Sequence, residues 1–166
     1  MFKSLKREMQ FISENIAVIA LASFLCATGG VMLWINGGSS WYIIRTSGGS
    51  SPQMSLIFAA WIIAYALIGA AAAMIWLVYH SGRCDFHKVI PWFCMAVVSY
   101  LFMLVWYAVF FCTRLVIFSA IILMISCAAD ILLLLFMRRK SLMFSLIMAI
   151  LVVLQGYFIW FTFAIS

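Results

Sequence analysis

The chain has 166 residues, of which 69% are hydrophobic and 8% charged, and its formal net charge is +6. Water-soluble domains carry about 25% charged residues, and a mean hydropathy of +1.24 is more apolar surface than a domain of this size can hide from water. A water-soluble enzyme or nucleic-acid-binding module is excluded, and the expected class is an all-α integral membrane bundle with the bilayer as its first partner.

Residues 1–14 place Phe2, Leu5, Met9 and Ile12 on one helical stripe and Lys3, Lys6 and Arg7 off it. This pattern has two readings: a short helix on the membrane surface drawn to anionic lipid, or a basic tail that only sets topology. The remainder, 15–166, reads as one transmembrane domain. Span one covers about 16–35 and is longer than the 7–15 apolar residues of a signal peptide. A connection at 36–53 follows, in which two Gly-Gly-Ser-Ser tetrads bracket Trp41-Tyr42-Ile43-Ile44-Arg45. It reads either as a loop anchored at the interface by its aromatics or as a hinged lid over a cavity.

Span two, about 54–79, is the uncharged stretch from Pro52 to Trp76 continued to about Tyr79. On a helix, Trp61, Tyr65, Ile68, Gly69, Ala72 and Trp76 share one face, with small residues between bulky rings. Such a face suits a packing seam or the wall of a pocket. Its outer half is the better pocket candidate, and Trp76 is expected as an interfacial anchor. Span three covers about 89–112, with Pro91 expected in its first turn, where a missing N–H costs little. Thr113 and Arg114 separate it from span four, about 115–137, so these two spans should form an antiparallel hairpin. Span five covers about 142–165.

With five spans, eight of the ten Lys and Arg residues fall on one side, in the N-terminal segment, the 80–88 turn and the 138–140 turn; Arg45 and Arg114 fall on the other. The positive-inside rule then places the N-terminus in the cytoplasm and the C-terminus on the opposite side.

Several constellations could carry chemistry. His80, Cys84 and His87, with Asp85, lie close together but match no strong zinc spacing. A polar interfacial turn is the preferred reading, and no metal site is expected. The five cysteines form no Cys-x-x-Cys pair and are expected to behave as small buried hydrophobes. Asp130 is the one acidic residue deep inside a span, with Ser126 one turn away. Intramembrane carboxylates face the bundle interior, so Asp130 reads either as a proton or polar site or as a hydrogen-bonding partner of a neighbouring helix. Gln155 has the same two readings, interhelical bonding being favoured. Small residues at Ala60/Ala64, Ala66/Ala70 and Gly69/Ala73 permit close helix approach.

No Ser-His-Asp grouping, carboxylate pair, phosphate-cradling loop or zinc motif is present, so no catalytic residues are expected and the chain reads as a non-enzyme. What it does carry is aromatic rings at membrane depth: Trp61 and Tyr65 in span two, Tyr100, Trp106, Phe110 and Phe111 in span three, Tyr157 and Trp160 in span five. Rings lining a cavity favour flat, largely apolar ligands; the alternative is that they pack a core or form interfacial belts.

Several fragments in order resemble the translocator protein family, also called the tryptophan-rich sensory or peripheral-benzodiazepine-receptor-like family. Trp41-Tyr42 followed by Pro52 is similar to its first loop. Phe58, Trp61, Tyr65 and Gly69 resemble its span-two pattern, with the Phe–Trp interval one residue shorter. Trp106, Phe110-Phe111 and Arg114 resemble its span-three motif, and Gly156-Tyr157-Phe158-Ile159-Trp160-Phe161-Thr162-Phe163 its closing motif. The chain departs from the family at Met103, where the family has Asn, at Gly156, where it has Pro, and in the first loop, where paired prolines are reduced to Pro52.

The resemblance covers about residues 16–166 and implies a five-helix bundle, often a homodimer, that binds a porphyrin, a haem-related tetrapyrrole or a sterol in a central pocket. Some bacterial members are reported to degrade porphyrin. By motif, the ligand-binding residues would be Trp41, Trp61, Tyr65, Trp106, Phe110, Tyr157 and Trp160. No cofactor is required, porphyrin or haem being the ligand. The expected function is a membrane receptor or carrier for a flat hydrophobic molecule. The alternatives are a small proton-coupled transporter using Asp130 and Gln155, or an assembly subunit that binds no ligand.

Overall fold

Five helices are long and apolar enough to cross a membrane, and a shorter amphipathic one precedes them. The computed structural model describes residues 2–36, 54–82, 85–138 and 141–164. The amphipathic helix is α1 (Phe2–Glu14). The spans are α2 (Ile16–Asn36), α3 (Met54–His80), α4 (Phe86–Tyr107, prolonged by a π-helical segment Ala108–Thr113), α5 (Val116–Met137) and α6 (Leu142–Ala164). The five expected spans are thus present, in an all-α multi-pass membrane protein, with no strand among the described residues.

The helices close into a ring. α3 packs on α4, α4 on α5, α5 on α6 and α6 back on α3, while α2 lies outside the ring against α3. Only 6% of the first span is buried, against 50% of the second, so α2 is peripheral and α3 is the hub. The inner faces follow from spacing. Ala96, Ser99, Met103, Trp106 and Phe110 are buried along α4; Ser119, Leu123, Ser126, Asp130, Leu133 and Met137 along α5; Phe144, Met148, Leu151, Gln155, Phe158 and Thr162 along α6. Steps of three and four keep each set on one stripe. In lipid, where tails are as apolar as leucine, such stripes associate through close packing and interhelical hydrogen bonds.

The α2–α3 seam depends on glycine. A Cβ added at Gly69 would lie 2.5 Å from the Ala22 carbonyl oxygen and 2.8 Å from Ser23 Cα, both backbone atoms. At Gly30 it would meet the Tyr65 ring at 2.9 Å, and at Gly29 it would collide with the Tyr100 hydroxyl. Two glycines inside a helix cost about 1 kcal/mol each in propensity; here they make room for tyrosines of α3 and α4.

Span three differs from expectation at both ends. α4 begins at Phe86, so Pro91 stands inside the helix rather than in its first turn. It leaves a carbonyl one turn earlier without its usual N–H donor. At the other end the helix widens into the π segment, and Arg114 follows at φ 63°, in the left-handed region, with Leu115 completing the connection to α5. The inserted residue of a π turn lets both Phe110 and Phe111 face inward, where each is almost fully buried.

α1 is tied to the bundle. The Glu8 carboxylate accepts hydrogen bonds from the backbone N–H of Leu142 (3.1 Å) and Met143 (3.4 Å), and Ser141 Oγ accepts from the N–H of Phe144 (3.1 Å). The first three helical amides of α6 are thereby satisfied, and a negative charge sits where the helix dipole favours it. Ile12 packs against the core, and Asn15 links α1 to α2 by donating to the Phe11 carbonyl and accepting from the N–H of Val18. Glu8→Ala is expected to cost about 1 kcal/mol, by the usual size of a lost N-terminal cap, and Glu8→Gln less. Thermal unfolding in detergent measures both.

The cysteines correct the expectation of burial. Among the described ones, Cys94 and Cys112 are exposed on the bundle surface, Cys26 and Cys127 are intermediate, and all four are free thiols. A lipid-facing surface is itself apolar, so a thiol gains little by turning inward.

Candidate functional site

Where the start of α3 meets the ends of α4 and α6, the inward stripes of the three helices converge on a cluster of aromatic rings. Trp61 is the centre, at 0% exposure. Its ring centroid lies 4.6 Å from Tyr65 and 5.9 Å from Phe158, both edge-on, and 5.0 Å from Trp106 and 5.2 Å from Tyr107, both tilted. Trp106 stacks on Phe110 at 5.5 Å, Tyr107 meets Phe111 at 4.6 Å, and Phe110 reaches Phe161 at 5.6 Å. These separations are those of rings in direct contact. The nest is closed in this structure.

Its polar atoms are less well served. Among the described residues, Trp61 Nε1, Tyr65 OH and Trp106 Nε1 are buried and have no hydrogen-bond partner. A buried polar group without a partner costs about 1–3 kcal/mol, and such groups are uncommon in native interiors. Three such groups lie in one aromatic nest.

The expected ligand-binding residues separate. Trp61, Tyr65, Trp106 and Phe110 come together in the nest. Tyr157 stands at its rim, half-buried, with its ring 5.8 Å from Phe158. Trp160 lies outside, 58% exposed, with its ring 6.0 Å from that of Tyr157. Helix geometry is the cause: at 100° per residue, position 160 points about 160° away from 158. Trp41, the rest of the loop at 37–53, and Cys84 lie outside the described residues.

Sequence reasoning missed Tyr107, Phe158 and Phe161, each at most 1% exposed. A signal for Phe158 was present. Gln155 had to face the interior, and Phe158 one turn on shares its face, whereas Trp160 does not.

Below the nest, at mid-span, lies a polar knot. Ser99 Oγ and Gln155 Nε2 each donate to Asp130 Oδ2 at 2.6 Å, Gln155 Nε2 also reaches Ser126 Oγ at 3.1 Å, and the two serine hydroxyls are 3.1 Å apart. Ser126 Oγ donates to the Ser99 carbonyl at 3.4 Å. Three helices thus share one carboxyl, as expected for interhelical bonding through Asp130 and Gln155.

At the opposite end from the nest, Trp76 is 49% exposed, stacks over His80 at 6.3 Å and neighbours Tyr79. The shared face of α3 therefore divides, its N-terminal half buried in the nest and Trp76 on the surface. His80 and His87 are exposed, and no three His, Cys, Asp or Glu side chains come together among the described residues. Asp85 pairs with Lys88 at 2.7 Å, and that hydrogen bond and charge hold its carboxyl below its ordinary pKa.

No family model matches the chain, and neither does any curated protein or solved structure.

Proposed function

We propose that the protein is a membrane receptor or carrier for a flat, largely apolar molecule bearing hydrogen-bond acceptors, a porphyrin or related tetrapyrrole in the first instance and a sterol-like lipid in the second. The observation that carries this reading is the trio of buried, unpartnered donors, Trp61 Nε1, Trp106 Nε1 and Tyr65 OH, inside a nest of rings. A flat ligand entering between α3 and α4 would replace ring-on-ring contacts with ring-on-ligand contacts and give those donors acceptors. Entry requires the rings to part, and the π-helical end of α4, which carries Phe110 and Phe111, supports that reading, since single π turns occur frequently at functional sites. The motif resemblance to the translocator protein family supports the same ligand class.

The charge bias supports an orientation with the N-terminus in the cytoplasm. The bonds from Leu142 and Met143 to Glu8 hold α1 against the first turn of α6, which supports grouping the N-terminal segment on the same side as the connection that precedes α6.

Titrating the purified protein with protoporphyrin and following tryptophan quenching tests the ligand reading. Trp61→Phe combined with Trp106→Phe keeps ring bulk and removes two donors. It should weaken binding about tenfold or more, the equivalent of about 1.4 kcal/mol, while Trp76→Phe leaves it unchanged. Unsaturable quenching, or equal affinity in the double variant, refutes the site. Competition with cholesterol separates the two ligand classes.

A further inference from the structure

Helix α1 brings Lys3, Lys6 and Arg7 to the level where two spans enter the bilayer. We propose that α1, together with Arg138 at the end of α5, is a docking surface for the headgroups of anionic phospholipids. This inference is independent of the ligand reading and uses none of its residues.

Two attachments set the depth of α1. The N–H groups of Leu142 and Met143 hold Glu8 on the first turn of α6, a membrane span. At its C-terminal end α1 passes through Asn15 into Ile16, the first residue of the span α2. The helix is thereby kept at headgroup level rather than trailing in water. The N–H of Ser141 donates to the Met137 carbonyl, so Arg138, the exposed cap of α5, stands at the same end of the bundle.

The register of α1 separates its faces. At 100° per residue, the positions of Lys3 and Lys6 lie about 140° and 160° round the helix from Glu8. The side opposite the tether is therefore the basic one. Arg7 is exposed, and so is the apolar Met9, at 58%. A helix with basic positions on one side and an exposed apolar residue on another suits the plane of the interface.

Charge balance selects the partner. The chain has only four acidic residues, and each is engaged elsewhere. Glu8 accepts from the amides of α6, Glu14 accepts from Gln10 Nε2 at 3.0 Å, Asp85 pairs with Lys88, and Asp130 lies in the mid-span knot. Among the described residues Lys88–Asp85 is the one ion pair. At the depth of α1 the remaining source of negative charge is lipid, and clustered Lys and Arg beside a span attract anionic headgroups.

The test titrates phosphatidylglycerol or phosphatidylcholine into the purified full chain in neutral detergent micelles and counts bound lipid by native mass spectrometry. The wild type should bind phosphatidylglycerol saturably and in preference to phosphatidylcholine, and added salt should weaken that preference by screening exposed charges. Lys3→Gln, Lys6→Gln and Arg7→Gln together should raise the half-saturating phosphatidylglycerol by about tenfold or more, whereas Arg114→Gln, beyond the far end of α4, should leave it unchanged. Equal binding of the two lipids, the result expected of a basic tail that only sets topology, overturns the proposal. So does an affinity for phosphatidylglycerol undiminished in the triple variant. Displacement of the lipid by an equal concentration of glycerol phosphate would make the site one for soluble phosphate, and also refutes it. If the triple variant does not fold, Arg7→Gln decides: binding about three- to fivefold weaker is expected, and an unchanged half-saturation refutes the site.

Discussion

Trp61→Ala should destabilise the bundle by about 2–4 kcal/mol, the lower part of the range for large core truncations. The ring touches Tyr65 on its own helix, Trp106 and Tyr107 on α4, and Phe158 on α6. Its removal would open a cavity where three helices meet. The estimate stays at the lower end because the alternative surroundings are lipid tails, so the loss comes from packing rather than from exclusion of water. Trp76→Ala is the comparison. That ring is 49% exposed and neighbours the rings of Tyr79 and His80, so its loss should cost under about 1 kcal/mol. Unfolding in mixed micelles measures both. Equal effects would mean that the nest is not a structural core.

Gly69→Ala carries the second large effect. A methyl there would stand 2.5 Å from the Ala22 carbonyl oxygen and 2.8 Å from its carbon. Backbone on the facing helix cannot swing aside as a side chain can, so α2 must move outward as a body. The cost should be about 1–3 kcal/mol, the usual size for overpacking, even though alanine is the better helix former. Because α2 has little other support, cross-linking between engineered cysteines on α2 and α3 should fall along with the unfolding temperature. At Gly156 an added Cβ would meet nothing within 4 Å. Gly156→Ala should therefore be neutral or slightly stabilising, and a loss there equal to that at Gly69 would refute the steric explanation.

Much of this architecture is legible without coordinates. Five apolar runs separated by polar turns specify five spans, because a bilayer admits only segments that satisfy their own backbone hydrogen bonds. The inward direction of Asp130 and Gln155 is equally legible, since a polar group facing lipid has no partner. The same logic applied to Gln155 marks Phe158, and helical rotation then turns Trp160 outward. The sequence does not place a single aromatic residue, because a tryptophan is at home in a core, in a pocket and at an interface. Trp61, Trp76 and Trp160 share a residue type, yet the first is buried and the other two are not.

By itself the sequence determined the class, the number of spans, the hairpin of the third and fourth, and which polar residues must point inward. Each of these follows from local length, hydropathy and helical period. Only the tertiary structure decided that α2 lies outside a four-helix ring, that Glu8 caps α6 across 134 residues of chain, and that Ser99 joins Asp130 from another helix. It alone brought Tyr107 and Phe158 around Trp61. The physical reason is common to all four. In lipid no helix is driven to a particular neighbour by apolarity alone, so pairing is chosen by shape, by a glycine that lets backbones touch, and by hydrogen bonds between residues far apart in the chain.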